Sequence, residues 1–235
     1  MTNRVTILTS NKYRPAKWSG GSTTELFIIP VTAVYKKLDF DFRLSTATIE
    51  VETSVFTPLD AISRTLMVLE GRMRLVHEGR HTAELSKNQV DRFDGSWKTT
   101  SFGTCTDFNI MTKDSTKGDQ VGFSVKKDQH RDYLLEEAWD WFFIYAHAGS
   151  VDISLVGENH QLNKEDLLVI EHPENSSARI TGLKTVTLFC ATSSFSSIHS
   201  SFSFYETKNP LMKTEIWNTF FPRLNPFLTI SLVSE

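Results

Sequence analysis

The sequence predicts an all-β fold that contains a duplicated β unit, and three features lead to that prediction. Apolar and polar residues alternate along most structured segments, helical periodicity is rare, and one hairpin pattern bounded by glycines occurs twice. Because side chains of a β-strand alternate between two faces, strict alternation indicates strands that are buried on one side. Closing such strands into barrels removes exposed edges, which explains many short strands without helices.

In the first half of the chain, the predicted strands follow directly from this alternation. Phe42 and Leu44 fall on one face of a strand, whereas Arg43 and Ser45 fall on the other. A tight turn is indicated where glycine follows a glutamate at 78–79. The predicted strands of this half are 40–45, two strands within 64–76 that break at Gly71, and 107–111.

The second half combines one clear strand with segments that allow two interpretations. Residues 185–189 alternate as a strand does, whereas 133–141 fits either a short helix or the beginning of a strand. Residues 193–203 are rich in serine and are predicted to form a loop or a sheet edge. A short helix is predicted for 210–217, with Asn209 as its N-cap.

The repeated hairpin pattern favours an internal duplication. Gly71 and Gly79 bound the first copy, and Gly149 and Gly157 bound the second with the same spacing. Alternating apolar residues follow the first glycine of each copy, at Met73 and Leu75 and at Val151 and Ile153. Unrelated hairpins share patterns as short as this one, so coincidence stays an alternative. The period is too long for a solenoid repeat and fits a small barrel or sandwich.

The charge distribution argues against nucleic acid and membranes as partners. The 235 residues include 25 Lys and Arg against 28 Asp and Glu, and the cations form no cluster that would bind phosphates. No stretch approaches the roughly 20 apolar residues of a membrane span, and residues 1–10 do not resemble a signal peptide. We therefore expect a cytoplasmic protein.

The chain contains two cysteines, Cys105 and Cys190, which lie far apart in the sequence. Disulfide frameworks are typical of small secreted domains that are dense in cysteine. We therefore predict that both residues are buried free thiols rather than the two ends of a disulfide.

Three segments of the sequence resemble the HutD/Ves family. They are the tryptophan–glycine segment 18–25, the segment from Phe40 to Gly71, and the string Asp-Phe-Asn-Ile-Met-Thr at 107–112. The resemblance covers residues 15–113 in detail and the remainder by its strand pattern. It implies a bicupin, which is a chain with two cupin-like jelly-roll barrels.

On this resemblance we predict three parts of the chain. The first barrel spans 1–118, the second spans 119–205, and an aromatic tail at 206–235 packs on the body or forms a homodimer contact instead. Some members of the family are associated with histidine utilisation, where a ligand-sensing or moderating role has been proposed, and others with stress responses. No catalytic reaction is securely attached to the family.

Polar side chains on the strands of the first barrel form the candidate ligand site. A guanidinium group inside a barrel needs an anion, because an unpaired buried charge is costly. For Arg43 and Arg64 that anion is an internal aspartate, Asp60 or Asp107, or the carboxylate of a small ligand. Exposure of both arginines at the surface is the third interpretation. The predicted ligand-binding residues are Glu25, Arg43, Ser45, Arg64, Asp107 and Asn109.

Two of these assignments have alternatives of their own. Asp107 and Asn109 share one face of their strand and either line the barrel interior or cap a neighbouring turn. Glu25 ends a glycine-rich segment that lacks the spacing of a nucleotide-binding loop. We place Glu25 at the mouth of the first barrel.

The histidines lack the pattern of metal-dependent cupins, which use a His-x-His pair, a carboxylate and a later histidine. No two of the seven histidines are separated by a single residue. His77 and His81 flank the hairpin turn, where we expect both to point into solvent, and His147 has no partner two residues away. We therefore predict no metal and no cofactor, although ligands from distant strands would escape such a pattern.

The leading functional hypothesis is a non-enzymatic protein that binds or senses a small carboxylate. A first alternative is a metal-dependent isomerase or dioxygenase that uses dispersed histidines. A second alternative is an interaction module whose aromatic tail recruits a partner. No Gly-x-Ser-x-Gly motif is present, and Cys105 has no evident histidine partner in the sequence, so nucleophilic catalysis has little support.

Overall fold

The alternating sequence folds almost entirely into β-strands. The computed structural model describes residues 4–184 and the backbone of 186–194. The first nine strands are β1 Arg4–Leu8, β2 Ala16–Trp18, β3 Gly21–Ile29, β4 Phe42–Ile49, β5 Thr53–Val55, β6 Ile62–His77, β7 Thr82–Ser86, β8 Val90–Asp94 and β9 Thr99–Phe102. The other nine are β10 Cys105–Lys113, β11 Lys117–Val125, β12 His130–Leu135, β13 Trp141–Ala148, β14 Val151–Leu155, β15 Glu158–Leu162, β16 Leu167–Glu171, β17 Ser176–Gly182 and β18 Val186–Ser194. Short 3-10 helices occupy Ser10–Lys12 and Tyr35–Lys37.

These strands form three antiparallel sheets. A nine-stranded sheet has the order β2-β3-β4-β10-β6-β9-β5, with β7 and β8 also paired to β6. A five-stranded sheet has the order β1-β16-β13-β18-β11, and a four-stranded sheet has the order β12-β17-β14-β15. The strand β1 thus joins a sheet built otherwise from the second half of the chain. The division into barrels at 1–118 and 119–205 stays a prediction.

An apolar layer lies between the nine-stranded and five-stranded sheets. Phe42 of β4 stacks on Phe143 of β13, with ring centres 5.3 Å apart and planes at 5°. Leu44 of β4 and Phe108 of β10 are fully buried in the same layer. Each such side chain contributes about 1.5–3 kcal/mol through burial. This layer fixes which face of β4, β6 and β10 points away from the five-stranded sheet.

The five-stranded sheet is buried on both faces. On β13, Phe142 and Ile144 pack towards the four-stranded sheet, whereas Phe143 and Tyr145 pack towards the nine-stranded sheet. Strands that are covered on both faces form continuous apolar runs without alternation. The segment 133–141, whose pattern allowed two interpretations, forms the end of β12, a connection and the first residue of β13 rather than a helix.

The predicted break at Gly71 is wrong, because β6 continues through this residue from Ile62 to His77. Gly71 has a φ of +81°, and a Cβ atom there would lie 2.5 Å from the carbonyl oxygen of Thr104. Glycine is therefore required at an irregular position inside the strand rather than at its end. Gly149 adopts the same φ of +81° in the second copy of the hairpin pattern.

Other predictions have mixed outcomes. Residues 186–189 lie in β18, as their alternation predicts. Cys105 is a buried free thiol, whereas the side chain of Cys190 lies outside the described residues. The predicted helix at 210–217 and the aromatic tail at 206–235 also lie outside them. Within the described part of the chain, no helix is long and apolar enough to cross a membrane.

Candidate functional site

The buried polar side chains of the nine-stranded sheet result from the packing of its other face on the five-stranded sheet. Phe42 and Leu44 of β4 and Phe108 of β10 are buried between the two sheets. Since successive strand residues point to opposite faces, Arg43 and Asn109 point to the inner face of the nine-stranded sheet, away from that apolar layer. Each of these two residues is only 4% exposed, so neither lies on the outer surface.

The register of the strands brings the polar side chains together. On β10, Asn109 lies opposite Ser45 of β4, and Met111 lies between Arg43 of β4 and Arg64 of β6. Neighbouring strands are about 4.8 Å apart, so the backbones of the two arginines are separated by roughly 10 Å. Two long side chains can share one interior space across this distance.

Arg43 is paired within the chain. Its Nε donates to Glu25 Oε2 at 2.8 Å, and a terminal nitrogen donates to Ser45 Oγ at 3.0 Å. Its guanidinium carbon lies 4.2 Å from the ring centre of Tyr35. The Glu25 side chain is 40% exposed, so this carboxylate is reached by solvent while Arg43 is buried. The internal anion of Arg43 is therefore a glutamate rather than the expected aspartate.

Arg64 is buried without a close anion. Its guanidinium carbon lies 4.6 Å from the ring centre of Phe56 and 5.2 Å from that of Phe93. Among the described residues, its Nε has no hydrogen-bond partner. Burial lowers the pKa of Arg64 to about 10, although Tyr35 and Asp107 oppose this decrease. The group stays cationic at neutral pH and retains a free donor.

Asp107 and Asn109 lie beside Arg64 on the neighbouring strand. The buried Asp107 carboxyl accepts a hydrogen bond from Asn109 Nδ2. Burial raises the pKa of Asp107 to about 7, against the opposing effects of the Arg64 charge and of hydrogen bonds from Asn109 and Ala47. The amide oxygen of Asn109 is buried without a hydrogen-bond partner among residues 4–184. This strand thus offers an acceptor and a carboxyl group that ionises near neutral pH.

The predicted site residues converge, with one residue at the edge. Arg43, Ser45, Arg64, Asp107 and Asn109 are buried on the inner face of the nine-stranded sheet, and Glu25 lies at the partly exposed edge of this group. Asp60 is exposed and is not the anion of Arg64.

Three aromatic residues of the site were missed from the sequence. They are Tyr35, Phe56 and Phe93. Phe93 lies directly opposite Arg64 in the pairing of β6 with β8, and the alternation within Val90–Asp94 could have shown that it points inwards. Tyr35 and Phe56 lie outside the strands, where no periodic pattern indicates the direction of a side chain.

The expectation that the hairpin histidines point into solvent is wrong for His77, whereas His81 is exposed as expected. The His77 side chain is buried, with Nε2 at 2.8 Å from Asp91 Oδ2 and Nδ1 at 2.8 Å from Thr99 Oγ1. The His81 side chain is 41% exposed, and its Nε2 lies 3.1 Å from Asp91 Oδ1. The reason is the alternation of β6, which directs His77 to the same inner face as Met73.

His147 lies apart from this cluster and contacts Glu70, with 3.0 Å between Nε2 and Oε1. Within the part of the chain that the structure describes, His77, His81 and Asp91 are the one group of three potential metal ligands. His199 lies outside the described residues.

A shallow surface depression of about 330 Å³ lies far from these groups in the fold, on β12, β14 and β17. Its charged residues, Asp132 and Arg179, bind each other through two hydrogen bonds of 2.8 and 3.2 Å. Both charges are already satisfied, so this depression is a weaker candidate than the interior around Arg64.

Comparisons with known proteins agree with this architecture. The sequence profile of the HutD family matches residues 10–190. The solved structure of PA5104, a conserved protein of unknown function from Pseudomonas aeruginosa PAO1, is 24% identical with a TM-score of 0.70. The match covers 82% of this chain and 100% of the PA5104 chain. HutD from Pseudomonas fluorescens SBW25 is 22% identical with a TM-score of 0.62, and this match covers 82% of this chain and 100% of the HutD chain.

A more distant structure supports the fold class. Bacterial pirin YhhW from Escherichia coli, solved in complex with nickel(II), is 11% identical with a TM-score of 0.58. The match covers 80% of this chain and 98% of that protein, which has a cupin fold, so the prediction of an all-β, cupin-like fold is confirmed. Among curated proteins, no relative matches the chain. Because the family profile spans most of its length, this protein belongs to the HutD family.

Proposed function

We propose that this protein binds a small carboxylate in its first barrel and acts as a non-enzymatic binding or regulatory protein. The observation that carries the proposal is Arg64, whose buried Nε has no partner among the described residues. An unsatisfied buried donor costs about 1–3 kcal/mol. A ligand carboxylate would recover this free energy, because its two oxygens match the geometry of a guanidinium group.

The surroundings of Arg64 favour a ligand with one carboxylate and a small body. Phe56 and Phe93 provide apolar surface on which a planar group can pack. The free amide oxygen of Asn109 can accept a hydrogen bond from a ligand hydroxyl, amine or ring nitrogen. The P. fluorescens HutD structure was solved in a formate condition, which makes formate a suitable first probe. Carboxylates formed in histidine breakdown are the next candidates.

The ionisation of Asp107 makes the proposed binding dependent on pH. Burial raises the pKa of this carboxyl to about 7, so it is largely neutral in mildly acidic solution. Above that pH its negative charge competes for Arg64 and repels a ligand carboxylate. The affinity for a small carboxylate should therefore decrease as the pH rises through 7.

Calorimetric titration with formate, acetate and carboxylates from histidine breakdown tests the proposal. Wild type should bind at least one of them, and Arg64→Met should bind none of them. Arg74→Met is the matched control, because Arg74 lies on the same strand with a side chain that is 46% exposed. The proposal fails if wild type binds none of these carboxylates, or if Arg64→Met binds them as tightly as the control.

A further inference from the structure

A second polar cluster lies where the long strand β6 meets its hairpin turn. His77 is the last residue of β6, His81 lies in the turn, and Asp91 belongs to β8, which also pairs with β6. The backbone N–H of His77 donates to the carbonyl oxygen of His81 at 2.9 Å, so both rings extend from one closed turn. Asp91 itself pairs with Leu66, near the other end of β6, so the side chains of His77, His81 and Asp91 meet across the sheet rather than within one turn.

Both imidazole rings direct a nitrogen at the same carboxylate. Nε2 of His77 and Nε2 of His81 lie 2.8 and 3.1 Å from the two oxygens of Asp91. The potential ligand atoms of the three residues all lie within 4.8 Å of one another. A tetrahedral zinc ion with bonds of about 2.0–2.1 Å holds its ligand atoms roughly 3.3 Å apart. Small rotations of these side chains would create that arrangement.

Thr99 holds the His77 ring on the side opposite Asp91. The Thr99 oxygen lies 3.2 Å from the carbonyl oxygen of Trp97 and 2.8 Å from Nδ1 of His77. When Nδ1 donates its proton to Thr99, Nε2 carries the lone pair that a metal ion needs.

The donor atoms of this cluster suit a divalent cation. The two imidazole rings have centres 4.6 Å apart and lie beside a single carboxylate. Imidazole nitrogen and carboxylate oxygen are ordinary zinc ligands. The hydrogen bond to Thr99 corresponds to the outer contact that orients a metal-binding histidine. The backbone N–H of Arg92 donates to Asp91 Oδ1 at 3.0 Å and holds the carboxylate in place.

We infer that His77, His81 and Asp91 form a binding site for a divalent transition-metal cation of the zinc class. The His77 side chain is buried and the His81 side chain is partly exposed, so the cation can enter from solvent on the His81 side. Water can complete the coordination there. The site is distinct from the Arg64 site, although Phe93 contacts both His77 and Arg64.

Zinc titration of the full chain, without an affinity tag and after treatment with a chelator, tests the inference by calorimetry. Wild type should bind one zinc ion per chain. Loss of an outer hydrogen bond weakens metal binding by about 10–100-fold, which is the expectation for Thr99→Val. Loss of a direct ligand in His81→Ala should weaken it by more than about 100-fold.

The control variant is His130→Ala, because His130 is exposed on β12 and lies outside the cluster. Its zinc affinity should equal that of wild type. Arg64→Met should also retain zinc binding, which separates this site from carboxylate binding. Far-ultraviolet circular dichroism checks that each variant is folded. The inference is overturned if wild type binds no zinc, or if His81→Ala and His130→Ala bind it equally.

Discussion

Replacement of Arg64 by methionine should leave the ligand-free protein as stable as wild type or make it more stable. The change removes a buried donor without a partner, which costs about 1–3 kcal/mol in the wild type. It also removes the cation–π contacts with Phe56 and Phe93, each of which is worth about 0.5–2 kcal/mol. The sulfur of methionine recovers about 0.3–1.5 kcal/mol from each of these rings.

At the middle of each of these ranges, the free energy of unfolding is about 1 kcal/mol higher than in wild type. For a chain of this size, about 1 kcal/mol changes Tm by roughly 2–4 °C. Urea unfolding and thermal unfolding in buffer without carboxylates measure both quantities. Removal of one partner from a buried ion pair usually costs about 3–5 kcal/mol. A loss of that size in Arg64→Met would show that Arg64 is paired for stability, and the reasoning would be refuted.

Three further predictions concern stability. The pKa of Asp107 is raised from 3.8 to about 7, so between these pH values the folded state retains a proton that the unfolded state releases. The free energy of unfolding should therefore fall by on the order of 4 kcal/mol as the pH rises from about 4 to 7. Urea unfolding of Asp107→Asn should show a flatter pH dependence, and a slope equal to that of wild type would contradict this assignment. Glu25→Gln removes the carboxylate that pairs with the buried Arg43 and should lower the free energy of unfolding by about 1–3 kcal/mol. An unchanged free energy in urea unfolding would show that the ion pair is dispensable. Gly71→Ala should lower Tm more than Gly79→Ala does. A Cβ atom at Gly71 would lie 2.5 Å from a backbone oxygen, whereas a Cβ atom at Gly79 would enter open space. Equal Tm values of the two variants would argue against this close approach of the backbone at Gly71.

The sequence was sufficient to predict which side of β4 and β10 faces away from the five-stranded sheet. The alternation around Phe42 and Leu44 is strict, since one face of β4 packs on another sheet and the other face lines the barrel. That alternation is why Arg43 could be placed in the interior. The same rule, continued from Met73 along β6, would have placed His77 inside as well.

The contacts between strands could not be predicted in the same way. Arg43 meets Glu25 because of the register of β3 against β4, which is irregular between Glu25 and Phe27. Alternation contains no information about such an offset. The cluster of His77, His81 and Asp91 was not predicted for a related reason. Its three side chains come from separate parts of the chain and form no local spacing pattern.

A crystal structure of the protein grown with formate at about pH 6, where Asp107 is largely neutral, would show most directly whether Arg64 holds a carboxylate. We expect planar density beside the rings of Phe56 and Phe93, with one formate oxygen within hydrogen-bond distance of Arg64 Nε. A first barrel without formate, in which Arg64 pairs with Asp107 instead, would contradict the proposed role of Arg64.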